Sequence, residues 1–502
     1  MLVVVGALAT LNAVVMPWRG TLDSTAHLDY MYQLHHGHLP EPNGYAYLFP
    51  WQSMLSADRQ WASAHPPLWY ALAGVFTGPL LDAGRWEAAV ATARAFNIAL
   101  ALAGVAALAR ATWVIAPASA RRPLVIIVPL VGGLVTSYLR FAGDVYNDML
   151  VVVASITAMA VTVTMIVRGV TVGRIIGLTA VAVVGMGSKA TFLGTLAVAL
   201  AGVMLAVWLH GGGSPLRRVL HGVAACLPVV LAPALAWGWF YLVNLDRSGS
   251  LVRSSPVGPV GDRPYLSALD VLGRLDFWLV VPGQLLGRTP WLVGGSVISN
   301  RSLSLVIFFG CAAAAIWRVA RAWRRISIAS WAVAFVLVLH LAAMYAIQFD
   351  HAVGYGQRNI RYLLPALLTI ALIIAVGLTA YRPIAAVLTV VTVTVLALAA
   401  VYDTAGYIKD RFPNLVGSGW ALDWLVASTH SNGFTGWLPG ALMLIAAAGL
   451  VVAFVDVVRT LRRPTSCALA QEDRRRSGPP VDVEPAAPLP AAPAVKAPTN
   501  TR

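Results

Sequence analysis

The residues best suited to chemistry lie in a few polar islands of an otherwise apolar chain. Asp23, His27 and Asp29 follow the first apolar run, and Trp61 and His65 close the same polar segment. A second island, from Arg140 onward, holds Asp144 and Asp148. A positioned carboxylate takes the proton of an attacking hydroxyl and stabilises positive charge developing at an anomeric carbon. Histidines and aromatic rings beside it suit a carbohydrate, whose ring faces stack on aromatic ones. Lys189, in Gly187-Ser188-Lys189-Ala190-Thr191, and Arg358, Arg361 and Tyr362 sit where apolar runs begin or end. Arginine's forked donors match the oxygens of a phosphate. Together these groups suit a carbohydrate and an anionic phosphate.

Plainer roles exist for each. Asp23 precedes Ser24-Thr25-Ala26-His27 as a helix N-cap does. Lys189 fits a side chain snorkelling to the membrane surface. Asp144 fits a loop ion pair with Arg140, and Arg94, inside an apolar run, fits a bridge to a buried carboxylate. His35, His36 and His38 read as a solvated turn. Asp23, His27 and Asp148 have donor types that a divalent metal accepts, though no spacing demands one.

The composition says what must position these groups. Hydrophobic residues are 58% of the 502 and charged residues 11%, with a mean hydropathy of +0.73. Soluble domains carry roughly a quarter charged residues. Long apolar runs recur, each able to cross the hydrocarbon core with about 20 helical residues. The expectation is an all-α polytopic membrane protein with about 12 transmembrane helices. Its spans include Leu2–Trp18, Leu124–Leu139 and Ile175–Gly187, while Pro66–Leu81 is a surface or re-entrant helix.

With that assignment the arginine clusters, among them Arg121 with Arg122 and Arg217 with Arg218, fall on one side, which the positive-inside rule makes cytoplasmic. Both termini are then cytoplasmic in a multi-pass plasma-membrane protein. The outer segments are 19–87, 140–148, 244–302, 348–361 and 402–437. The net charge of +15 is an orientation signal and an attraction to anionic lipid, with no nucleic-acid partner implied. The transmembrane part covers 1–463. The Pro- and Ala-rich stretch 464–502 lacks the apolar content to fold alone and reads as a disordered cytoplasmic tail. Met1 leads straight into apolar residues, which suggests a signal anchor rather than a cleaved signal. The three cysteines, Cys226, Cys311 and Cys467, imply neither disulfides nor a metal site.

The order of motifs resembles the GT-C membrane glycosyltransferases, in particular the protein-mannosyltransferase and aminoarabinose-transferase-like branches. The resemblance rests on Asp23 with His27 after the first span, His35-His36-Gly37-His38-Leu39-Pro40, and His65-Pro66-Pro67-Leu68-Trp69-Tyr70. It continues through Arg94-Ala95-Phe96-Asn97, Asn147-Asp148-Met149-Leu150, Ser188-Lys189-Ala190-Thr191 and Arg361-Tyr362-Leu363-Leu364-Pro365. It implies an inverting transferase with a polyprenyl-phosphate-linked sugar as donor and an extracytoplasmic hydroxyl as acceptor. That acceptor belongs to a glycan, lipid, protein or natural product of the cell envelope.

Asp23 matches the family's first-loop acid, the expected general base or metal-site carboxylate, and Asp144 or Asp148 its second acidic position. Lys189, Arg358, Arg361 and Tyr362 would hold the phosphate, and His27, His65 and Trp61 the substrate. The chain departs from the family at Ser24, where a second acid often stands, and at Asn359-Ile360, which interrupt the arginine motif. A transporter or flippase of lipid-linked sugars, or an inactive assembly protein, would share the helices and a charged cavity. Acids gathered on one face favour the enzyme.

Overall fold

The computed structural model describes residues 1–17, 24–42, 47–48, 60–252, 266–275, 277–278, 300–355, 360–416 and 419–462. Asp23 and Arg358, the side chain of Trp61, and the expected tail 464–502 lie outside them.

Among the described residues the regular structure is helical. In chain order the helices are α1 (Leu2–Val15), α2 (Ser24–His35), α3 (Leu68–Asp82), α4 (Trp86–Ile115), α5 (Ala118–Gly133), α6 (Thr136–Ala142), α7 (Asp148–Arg168), α8 (Val172–Met186), α9 (Phe192–His210) and α10 (Pro215–Ser248). There follow α11 (Ala268–Gly273), α12 (Asn300–Ala322), α13 (Ile328–Tyr355), α14 (Leu367–Leu378), α15 (Arg382–Arg411), α16 (Pro413–Val416), α17 (Ala421–Ser431) and α18 (Leu438–Arg462). A 3₁₀ turn at Ile360–Ala366 leads into α14.

Every apolar run read as a span is helical, but not every helix is long enough to cross. Nine described helices meet the length and hydropathy of a membrane span, and a tenth does if α5 and α6, bent by 65° at their junction, count as one. The expected crossings at α1 and α8 are only 14 and 15 residues long, roughly 21–23 Å at 1.5 Å per residue. The run Leu124–Leu139 breaks because Gly132 and Gly133 end α5. A Cβ at Gly133 would lie 2.4 Å from Val5 Cγ2, so the glycine lets α5 press against α1 and turn there. Hydropathy does not register that break, since glycine interrupts no apolar run.

The described parts of the segments expected as outer loops include helices. Segment 19–87 contains α2 and α3, α13 reaches Tyr355, and α15 runs on to Arg411. The helix α3 is not among the candidate spans. It packs instead on α2 and the start of α4 in a small second core of Leu28, Tyr30, Met31, Trp69, Tyr70, Ala73, Val90 and Ala93. The main core joins α1, α4, α5, α7, α9 and α14.

Candidate functional site

Three helix starts and one turn build the site. Asp148 opens α7, Lys189 lies in the turn between α8 and α9, Arg361 and Tyr362 precede α14, and Ser24 opens α2. Helices begin here because polar residues interrupt apolar runs, and a helix start exposes N–H groups and the positive end of its dipole.

The lysine is buried, at 2% exposure, and its Nζ donates to Asp148 Oδ1 at 2.7 Å. Its ammonium is therefore buried and paired rather than snorkelling to the membrane surface. Asp148 Oδ2 lies 3.9 Å from Arg361 Nη1 and has no hydrogen-bond donor. Lys189 and Arg361 thus share one carboxylate. The ring of Tyr362 lies near both, 5.5 Å from Lys189 Nζ and 5.7 Å from Arg361 Cζ. Tyr146 stands 6.0 Å from Arg361 and its ring 5.2 Å from that of His27, which joins the cationic half of the site to an aromatic half.

That second half is a box around His27. His65 lies parallel to it at 6.1 Å, Trp69 stands edge-on at 6.0 Å, and His27 Nδ1 shares a 2.7 Å hydrogen bond with Tyr70 Oη. Burial, and then the charges of Lys189, His27 and Arg361, push the His65 imidazole well below its ordinary pKa, so it stays neutral. Tyr30 Oη holds the His65 carbonyl at 3.0 Å and Tyr30 stacks on Tyr70 at 3.8 Å, which fixes the wall of the box from behind.

Asp144 is used differently. Its Oδ1 accepts from Ser24 Oγ at 2.9 Å and from Val145 N at 2.8 Å, and Arg94 Nη2 lies 3.7 Å away. The Arg140 partnership does not form: Arg140 Cζ lies 3.6 Å over the ring of Tyr407 instead. Asp144 therefore anchors the first turn of α2, and with it the chain immediately after Asp23. Asp29 anchors the same segment further along. Its two oxygens accept from Tyr47 N, Leu48 N, Gln33 Nε2 and Gln60 Nε2 at 2.6–2.9 Å. Burial still outweighs those four bonds and leaves its pKa raised. Away from the site, His35 and His36 both bond Asp82 and remain partly exposed.

The structure brings together Asp144, Asp148, Lys189, Arg361, Tyr362, His27 and His65. Tyr70, Tyr146, Asn147 and His351, whose ring is 4.7 Å from that of Tyr362, belong to the same neighbourhood and carried no site role in the sequence reading. Tyr70 and Asn147 stand in motifs that carry the resemblance, and Tyr146 is adjacent to Asn147. His351 left no signal beyond being a histidine near the end of an apolar helix.

Of the expected metal set, Asp23 lies outside the described residues, two cations flank Asp148, and His27 meets Tyr70 through Nδ1, one of its two ring nitrogens. Among the described residues no group of three or more histidines, cysteines or acids is arranged to hold one.

Comparison of the sequence with family models and with curated proteins finds no match. Among solved structures, ArnT from Cupriavidus metallidurans bound to undecaprenyl phosphate superposes with a TM-score of 0.46 at 14% identity, over 95% of this chain and 76% of that one. Its apo form gives 0.44 at 12% identity, over 92% of this chain and 74% of that one. The Archaeoglobus fulgidus oligosaccharyltransferase, in complex with Zn and sulfate, gives 0.45 at 12% identity. Here 82% of this chain covers 56% of that one, so the chain spans little more than half of the oligosaccharyltransferase. Superpositions this loose have no bearing on the chemistry of the site, which stands on its own geometry.

Proposed function

We propose that the protein is a membrane glycosyltransferase that moves a sugar from a polyprenyl-phosphate donor to an acceptor hydroxyl outside the cytoplasm, with inversion. The supporting observation is the buried cluster of Lys189 and Arg361 sharing Asp148 beside the aromatic box of His27. A phosphate answers the cations and a sugar ring answers the aromatics.

In this reading the acceptor oxygen gives its proton to Asp23 and bonds the anomeric carbon as the bond from that carbon to the phosphate oxygen breaks. One displacement inverts the centre. The departing polyprenyl phosphate gains negative charge, which Lys189, Arg361 and Arg358 offset, with Tyr362 packed beside it. Asp148 keeps the two cations aligned and offers Oδ2 to the positively charged sugar in the transition state. Asp144, through Ser24, positions the helix start that follows Asp23. His27, His65 and Trp61 line the sugar and acceptor side. The site faces outward from the plasma membrane by the positive-inside rule, with both termini cytoplasmic. The acceptor is a glycan, lipid, protein or natural product.

The test is sugar transfer in proteoliposomes across a panel of polyprenyl-phosphate sugars, comparing wild type with Asp23→Asn. Transfer by wild type, lost by at least about a hundredfold in a folded Asp23→Asn protein, is expected for a general base. A donor that binds without being consumed would instead support a lipid-linked-sugar transporter.

A further inference from the structure

A lysine ammonium on a flexible stem is only as good a phosphate ligand as its placement. Lys189 is placed from two directions by two consecutive residues. Asp148 holds its ammonium at 2.7 Å. Asn147 Nδ2 donates to the carbonyl of Ser188, the residue just before it, at 3.0 Å. One dipeptide at the start of α7 therefore grips another in the turn before α9, by side chain at one position and by main chain at the other. Asn147 and Ser188 are both fully buried.

The rest of the turn is held further back. Leu68 N donates to Gly187 O at 3.0 Å, Tyr241 Oη to Met186 O at 2.9 Å, and Trp237 Nε1 to Val183 O at 2.7 Å. These bonds, with Ser188 Oγ donating to Val184 O at 2.6 Å, secure the end of α8, and Asn147 supplies the side-chain bond to the carbonyl next to the lysine. Packing does not account for an amide here. Asn147 Oδ1 is buried with no hydrogen-bond partner, a cost that an apolar side chain of similar size avoids. The N–H bond to Ser188 is what the asparagine supplies.

We propose that Asn147 is a positioning residue for the donor phosphate, acting through the main chain of the lysine turn. It fixes Ser188 so that Lys189 meets Asp148 and Arg361 in one geometry. The inference rests on Lys189 being a phosphate ligand, as in the proposed function.

The experiment is a double-mutant cycle on the full-length protein in detergent, with a short-chain polyprenyl phosphate as the probe of binding. The proteins are wild type, Asn147→Leu, Lys189→Ala and the double variant, each checked for a monodisperse folded state. Asn147→Leu, which keeps the volume and removes the donor, is expected to weaken binding about tenfold. Lys189→Ala is expected to weaken it more, and adding Asn147→Leu to Lys189→Ala to change nothing further. Wild-type binding by Asn147→Leu overturns the proposal. So does a full Asn147 effect in the Lys189→Ala background, because the asparagine then acts on the ligand or the fold directly. If Asn147→Leu does not fold, Asn147→Ala takes its place in the cycle. Unchanged binding by Lys189→Ala alone is a failure of the donor reading, seen without any Asn147 variant.

Discussion

At the scale of single residues, neutrality is as much a design feature as charge. His65 stands among Lys189, His27 and Arg361, and burial with those charges holds its imidazole well below the ordinary value. A histidine whose folded pKa is depressed favours the fold when neutral. Its contribution is fully present above the unfolded pKa of roughly 6.5 and is lost as pH falls toward the folded value. The slope is at most one decade of folding equilibrium per pH unit, about 1.4 kcal/mol. Thermal unfolding in detergent from pH 8 to pH 5 is expected to show wild type losing stability below about pH 6.5. A His65→Gln variant should lose less over the same interval, and parallel curves would remove His65 as the source. The pairing partners of these residues were not legible along the chain. Lys189 and Asp148 stand out as ionisable groups where apolar runs end, but their meeting across 41 positions depends on how α7 and α9 pack. Asp144 illustrates the converse: its nearest cation in sequence is Arg140, while its spatial partner is Arg94, because the side chain of Arg140 stacks on Tyr407.

At the scale of elements, the decisive structure is the end of α1, the helix that delivers the chain to Asp23. Its last carbonyls have no partners within the helix. Arg94 Nη1 donates to Ala13 O at 2.7 Å and to Met16 O at 2.8 Å, and its Nη2 to Pro17 O at 3.3 Å. Ser428 Oγ reaches Val15 O, while Asn432 Nδ2 reaches Val14 O and Met16 O. The arginine thus caps α1 with positive charge, as the dipole favours, and also lies beside Asp144, which holds α2 through Ser24. Both flanks of the segment carrying Asp23 are tied to one guanidinium. Replacing Arg94 by Met removes the cation beside Asp144 and the guanidinium's bonds to three carbonyls, and should cost about 3–5 kcal/mol. Arg94→Lys should recover only part of that, since an ammonium lacks the fork that reaches several acceptors. The check is thermal stability in detergent; equal stability of Met and Lys variants would deny the fork its role. From sequence, Arg94 could be read as a bridge to a buried carboxylate, and that reading is met. Its capping of α1 was hidden, because a helix end is visible in hydropathy only to within a turn or so, and here α1 stops at Val15 rather than Trp18. The capping residues Ser428 and Asn432 come from the far end of the chain, where no local signal links them to α1.

At the scale of the whole molecule, the site is a region of concentrated positive charge inside an apolar bundle. Long apolar periodicity was enough to read the helical class, since nine described helices satisfy it. In the proposed function, the charge arrangement ties the bundle's stability to the donor phosphate. Lys189 and Arg361 lean on Asp148 as a shared counter-ion, and helix starts at Asp148 and Phe192 bring their positive dipole ends to the same place. A phosphate entering there lowers the energy of the folded state but not of the unfolded one. Linkage then stabilises the protein by RT ln(1 + [L]/Kd), about 2.7 kcal/mol at a hundredfold excess over Kd. Removing the shared carboxylate should separate the two effects. Asp148→Asn takes the shared carboxylate from the buried Lys189 and the part-buried Arg361, so the ligand-free protein should lose about 3–5 kcal/mol. It should then regain more on adding polyprenyl phosphate than wild type does, because the ligand supplies the missing negative charge. Arg361→Gln should lower the ligand response instead. The measurement is thermal unfolding in detergent with polyprenyl phosphate and, separately, with the uncharged polyprenol of the same length. If the two lipids stabilise the protein equally, the effect is one of hydrocarbon contact, and the cluster of Lys189, Asp148 and Arg361 is not an anion site.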